Sequence, residues 1–311
     1  MVSQPVSPVR FLRRSCDGEV KIPRKSSVSP GMGRDDMRVL NEEMERRIDG
    51  SIVEFLRRSE YGLATDSILR VVDEIHADIP DNKRVSYGIV HAIRVLSEDL
   101  YGRLVQLGVP VFATASQMLR ASADAKCRGV SLGLLSFHGV DDLESVLPHF
   151  EWAAASPDWG TREYAQMFFR RLIKAHPDEA REHLLGLAGS EDANVRRFVG
   201  ETLRPVRENR WFYRDPDYPL SIIKEMFRDS SAYARTSVGN NLSDLARRCP
   251  EAVCDVVREL VDSGDRNSYW IACRACRNLV KKEPLKVMDL LKVDEYRYKE
   301  RIYRRSDYHG D

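Results

Sequence analysis

Four segments of the second half share one layout, and this repetition constrains the fold more than any single motif. SPDWGTREYAQMFFRRLIKAHP begins at Ser156, SEDANVRRFVGETLRPV at Ser190, DSSAYARTSVGNNLSDLARRCP at Asp229 and DRNSYWIACRACRNLVKKEP at Asp265. Each opens on a polar turn whose Asp or Ser suits a helix N-cap. Each continues with helical apolar spacing, and most then reach a Pro and a second, more apolar helix. The starts lie 34 to 39 residues apart, the period of HEAT-like helical hairpins. Such hairpins cannot bury their apolar faces alone and must stack. The expected fold is therefore an all-α, right-handed α-solenoid of HEAT-like helical repeats. Ser122–Leu135 reads as a weaker, earlier copy.

No Val/Ile/Thr/Tyr alternation stands out, so no sheet is expected. Residues 1–34 are rich in Ser, Pro, Lys and Arg and read as a disordered basic arm. From residue 35 to 311 the texture is that of one helical-repeat domain, clearest over 156–295. No apolar run approaches the roughly 18 residues of a membrane helix, and the N-terminus lacks a secretory apolar core. A cytoplasmic, intracellular protein is the resulting expectation. Six cysteines in such a chain suggest free thiols. The C-x-x-C at Cys273 and Cys276 falls inside a helical pattern, so small packing residues are expected there rather than a zinc knuckle. The seven histidines form no metal-binding pair, so neither metal nor cofactor is expected.

The charged residues are more informative. Net charge is only +1, but the basic residues comprise 38 Arg against 11 Lys. A planar guanidinium fork fits phosphates better than a point charge does. Several arginines concentrate in RRFVGETLRPVRENRWFYR, as Arg196, Arg197, Arg204, Arg207 and Arg210, with Trp211, Phe212 and Tyr213 among them. The tail KVDEYRYKERIYRRSDY is similar. Basic residues interleaved with aromatics suit a surface that tracks nucleic acid. Aligning the repeats puts Glu163, Arg197, Thr236 and Cys273 in one column, and Met167, Glu201, Asn240 and Arg277 in the next. The i, i+4 rule then pairs Arg197 with Glu201, Asn240 with Asp244 and Trp159 with Glu163. The alternative is a solvated helix face carrying ordinary ion pairs.

Together these elements resemble the HEAT-repeat alkylpurine DNA glycosylases of the AlkD/AlkC type, closer to the AlkC-like branch. The resemblance spans about Ser156 to Val293. It rests on Trp159-Gly-Thr-Arg162-Glu163-Tyr164, on Val195-Arg196-Arg197 with Glu201, Arg204-Pro205 and Trp211, on Arg235 through Asp244, and on Trp270 through Lys282. It departs from the family in a longer, more basic connection after Glu201 and in Arg274, where a His is usual.

The resemblance implies a monofunctional glycosylase that hydrolyses the N-glycosidic bond of N3- or N7-alkylated, cationic purines in duplex DNA. Such a leaving group is already activated. The protein has only to stabilise an oxocarbenium-like sugar and position a water, which a carboxylate can do. Glu163, Glu201 and Asp244 are the implied catalytic carboxylates, with Trp159 and Trp211 as aromatic walls. Arg196, Arg197, Arg204, Arg207, Arg210, Arg235, Asn240, Arg274, Arg277 and Lys281 are the implied DNA contacts, and a monomer without a membrane partner is expected. The other readings are a HEAT-repeat scaffold for a protein partner and a damage-binding relative without catalysis.

Overall fold

The computed structural model describes residues 40–81 and 88–308; the basic arm expected over 1–34 lies outside them. The described residues begin with α1 (Glu42–Arg47), a π-helical turn (Ile48–Val53), α2 (Glu54–Arg57), α3 (Tyr61–Asp78) and α4 (Ile89–Gln106). Helices α5 (Val111–Ala121), α6 (Ala125–His138), α7 (Leu143–Ala154), α8 (Trp159–Ala175), α9 (Pro177–Ala188) and α10 (Ala193–Thr202) follow. A 3-10 turn (Arg207–Tyr213) then leads to α11 (Asp217–Ile223), α12 (Ala232–Leu245), α13 (Pro250–Asp262), α14 (Arg266–Ala275) and α15 (Pro284–Leu291). Helices α4, α6, α8, α10, α12 and α14 pack each on the next as an inner row, with α7, α9, α11, α13 and α15 outside it. The fold is the expected right-handed solenoid of HEAT-like helical pairs. None of the described helices is long and apolar enough to cross a membrane.

Five inner-row helices and three outer-row ones start by different chemistry. Asp124, Asp158, Asp192, Ser231 and Asp265 cap α6, α8, α10, α12 and α14 with side-chain oxygens, satisfying amides that the helix leaves open. Helices α9, α13 and α15 instead start on Pro177, Pro250 and Pro284, whose missing N–H costs nothing in a first turn.

A second device recurs in the inner-row turns. Two residues before each cap, the side chain of Ser122, Ser156, Ser190, Asp229 or Ser263 accepts from the cap's own amide. Four residues after the cap, Arg162, Arg196 and Arg235 each reach back to two carbonyls of that turn, at 2.6 to 3.1 Å. Arg128 makes one such bond, to Ser122 O at 2.8 Å. Tyr269 holds the equivalent place in α14.

Glycines let the inner helices approach. A Cβ at Gly200 would lie 2.2 Å from Ser237 Oγ, and one at Gly239 would lie 2.8 Å from Arg274 Cβ. Beneath, Phe169 meets Phe150 and Phe198 edge-on, with centroids 5.4 and 5.3 Å away, each contact adding about 1 kcal/mol beyond burial.

The expectation of no sheet was wrong. After α15 the chain forms an antiparallel hairpin, β1 (Glu295–Tyr298) with β2 (Arg301–Arg304), pairing Tyr296 with Tyr303. Both tyrosines are buried, and Tyr296 Oη donates to Cys273 O at 2.6 Å, which pins the hairpin to α14.

Candidate functional site

The inner row brings three acidic and three basic side chains together along α8, α10 and α12. Arg204, just past α10, is the link. Its Nη1 lies 3.1 Å from Glu201 Oε2, while Nε and Nη2 reach Asp244 Oδ2 at 2.9 and 2.5 Å. Arg197, one turn before Glu201, approaches its Oε1 at 3.4 Å. Arg170 of α8 donates to the carbonyls of Glu201 and Thr202 at 2.9 and 3.3 Å, closing the end of α10. Glu201 is 3% exposed and Asp244 8%, so guanidinium groups surround both carboxylates. Burial opposes the charge on Arg204, but Glu201 and Asp244 more than offset it and raise its pKa above the ordinary arginine value. Burial lowers the pKa of Arg170, which is partly exposed.

Glu163 differs from the other two carboxylates. It is half-buried on α8, and its side chain accepts from Gln166 Nε2 rather than from a guanidinium. Burial first, then the charge of Glu201, pushes its pKa up; Arg197, Arg170 and Arg204 act in the opposite direction. A carboxylate in this state remains accessible and is more basic than a free one. Trp159, one turn earlier, is 62% exposed, and i, i+4 spacing puts it on the face of Glu163.

The residues read from the sequence fall into distinct groups. Glu163, Arg197, Glu201, Arg204 and Asp244 form one cluster. Trp211 is not placed as an aromatic wall: its indole packs edge-on against Phe212 and Tyr218 at 4.5 and 4.9 Å, anchoring the long connection to α11. Arg196 and Arg235 have architectural partners in place of a free fork. Both hold their turns, and Arg196 also grips buried Asp229 at 2.7 and 3.0 Å. Arg204 lies inside the cluster. Arg207 and Arg210 are exposed on the connection, with Arg207 at a positive φ of 43°. On the last repeats, Asn240 Oδ1 accepts from Arg274 Nε at 3.0 Å and Arg277 Nη2 at 2.8 Å, while Lys281 bonds Asn278 Oδ1 at 2.9 Å.

Sequence reasoning missed Tyr233 and Arg170. The Tyr233 ring lies under the Arg197 guanidinium, 4.2 Å from its centroid, and its hydroxyl accepts from Arg162 Nη2 at 3.3 Å. It is therefore an aromatic group of this cluster. Arg170 is seven residues after Glu163, two turns along the same face, so helical spacing alone could have signalled it.

No family model matches the chain. A curated protein from Bacillus subtilis (strain 168), named "Uncharacterized protein YhaZ", is 28% identical over 128 residues, covering 40% of this chain and 35% of that protein. The chain thus spans about a third of this curated relative's length. Among solved structures, Pseudomonas fluorescens alkylpurine DNA glycosylase AlkC, bound to DNA containing an abasic site analogue, matches with a TM-score of 0.48 at 19% identity, over 81% of this chain and 64% of that one. The smu.31 protein of Streptococcus mutans UA159 gives 0.48 at 19%, over 60% and 96%. AlkD2 from Streptococcus mutans gives 0.50 at 17%, over 68% of this chain and 98% of that one. In fold, this chain is therefore similar to AlkD2, in keeping with the sequence resemblance to the HEAT-repeat alkylpurine DNA glycosylases.

Proposed function

We propose that the protein is a DNA-repair glycosylase that hydrolyses the N-glycosidic bond of N3- or N7-alkylated purines in duplex DNA, acting as a monomer without metal or cofactor. The observation that carries this reading is Glu163: a half-buried carboxylate with a raised pKa, one turn from an exposed indole and beside three guanidinium groups. A cationic purine leaves with the electron pair of its bond to C1′, so the base needs no acid. The sugar becomes oxocarbenium-like. Glu163 stabilises that charge, and a water adds its oxygen to C1′ as its proton passes to the Glu163 carboxylate. Trp159 offers a π-face to the cationic base or sugar.

Glu201 and Asp244 are positioning residues in this scheme. Their charges are committed to Arg197 and Arg204, and the resulting lattice fixes Arg197 over Tyr233 beside Glu163. Tyr233 takes the place that the sequence suggested for Trp211.

The test is release of 3-methyladenine or 7-methylguanine from methylated duplex DNA. Glu163→Gln should lose at least 100-fold in single-turnover rate, within the range for a positioned proton-transfer group, and Glu201→Gln should lose less. Equal rates for wild type and Glu163→Gln would exclude Glu163. Duplex binding without release of either base by the wild type would favour a damage-binding role instead.

A further inference from the structure

The C-terminal hairpin has no part in the chemistry proposed above, yet it extends a line of cations that begins on α14. Arg274 and Arg277 are tethered to one neutral acceptor, Asn240 Oδ1, so a single amide oxygen holds two guanidinium groups side by side. Burial first, then the neighbouring charge of Arg277, lowers the pKa of Arg274. Beyond them, Tyr298 at the end of β1 has Lys281 at 5.1 Å and Arg277 and Lys299 at 5.8 Å from its ring centre. Across the hairpin, Arg301 pairs in register with Tyr298 and lies over Tyr303.

Arg274, Arg277, Lys281, Lys299 and Arg301 make no ion pair with a carboxylate among the described residues. Nearby arginines contrast with them: Arg204 is paired with Glu201 and Asp244, and Arg304 and Arg305 are tied to Glu295 and Asp294 at the hairpin base. Like charges held together repel unless a counter-charge is supplied. Here the protein supplies the amide oxygens of Asn240 and Asn278 and the rings of Trp270, Tyr298 and Tyr303, which carry no formal counter-charge.

We infer that the α14–hairpin strip is a docking surface for the sugar–phosphate backbone of duplex DNA. The twin guanidiniums on Asn240 form a phosphate fork, and the hairpin tip follows the same strand away from the lesion. The inference rests on the duplex-DNA reading, which already implied Arg274, Arg277 and Lys281 as contacts, and it adds the hairpin with Lys299 and Arg301 as the continuation of that surface. Guanidinium forks match phosphate oxygens bidentately. Arg197 and Glu201 both act on the charge of Arg274, so the strip adjoins the acidic cluster. A sheet edge that carries Arg and Lys in place of apolar groups is protected from pairing with another strand.

The experiment measures fluorescence anisotropy of a 16-base-pair undamaged duplex across a salt series. Lys281→Gln/Lys299→Gln/Arg301→Gln removes three exposed cations that form none of the hairpin's base contacts, and its thermal midpoint should match wild type. The log–log slope of affinity against salt should fall in magnitude by about 3, near 0.9 per lost phosphate contact. Arg277→Gln should lower it by about 1. A slope within about 0.5 of wild type for the triple variant would overturn the inference. So would wild-type protein that binds anionic phosphatidylglycerol vesicles but not the duplex. Glu163→Gln serves as the separate control: lost base release with an unchanged slope keeps both readings. Wild type without glycosylase activity but with the predicted slope change sinks only the reaction.

Discussion

Replacing Arg204 with methionine isolates the energetics of the acidic cluster. The substitution keeps the apolar stem and removes three donor contacts: 2.9 and 2.5 Å to Asp244 Oδ2 and 3.1 Å to Glu201 Oε2. Removing one partner of a buried ion pair costs about 3–5 kcal/mol. The Arg204 side chain retains 32% of its exposure, Glu201 keeps Arg197 at 3.4 Å, and Asp244 keeps Arg247 at 3.3 Å. These reduce the expected loss to about 2–3 kcal/mol at pH 7. With a urea m-value of about 3 kcal/mol/M, the midpoint falls by roughly 0.7–1 M at unchanged m. Adding Glu201→Gln and Asp244→Asn should recover more than half of the loss. A loss below about 1 kcal/mol, or a triple variant no more stable than Arg204→Met, would refute the view that Arg204 neutralises two buried charges.

Other perturbations bear on different parts of the structure. Because the folded-state pKa of Glu163 is raised by burial and by Glu201, its ionised form costs stability above the unfolded carboxylate pKa. Glu163→Gln should therefore unfold about 0.5–2 kcal/mol harder than wild type at pH 7, and the difference should vanish as pH falls below that unfolded pKa; a less stable variant at pH 7 would contradict this. Tyr233→Ala removes the ring beneath Arg197 and should slow base release at least tenfold, whereas Tyr233→Phe, which keeps the ring, should retain most of the rate. Gly200→Ala forces α10 from Ser237 and should cost about 1–2 kcal/mol by chemical denaturation, the clash exceeding the gain in helix propensity. Asn240→Asp, nearly isosteric, should weaken duplex binding at low salt by placing a carboxylate between Arg274 and Arg277; unchanged affinity would remove Asn240 as the holder of a phosphate fork.

The solenoid was legible because its signals are local. An Asp or Ser before α6, α8, α10, α12 and α14, a Pro at the start of α9, α13 and α15 and an apolar stripe between them recur at one period. Glu163, Arg197, Glu201 and Asp244 were legible for a related reason: helical spacing and repeat alignment fix which side chains share a face. The failures lie where that geometry stops. Arg204 is past the end of α10, so its bridge to Asp244 depends on the path of a connection that helix spacing does not describe. Trp211 sits in the same connection and anchors it against Tyr218. Arg196 and Arg235 looked available, but their partners include main-chain carbonyls and, for Arg196, Asp229 of the next repeat, neither of which spacing along one helix displays. The hairpin escaped because Tyr–Arg alternation in EYRY and RIYR reads as a charged run. No glycine marks its turn, where Lys299 takes a positive φ of 56°.

The reach-back arginines also bear on how much this chain could change and still fold. Their acceptors are carbonyl oxygens, which every substitution in the turn preserves. Only the donor, the cap and the acceptor side chain two residues before it are therefore specified by residue type, and the intervening positions can vary while the turn keeps its shape. Each inner-row repeat thus needs little sequence information to hold its place. An architecture encoded so sparsely can persist between chains that share 17% of their residues, as this one does with AlkD2.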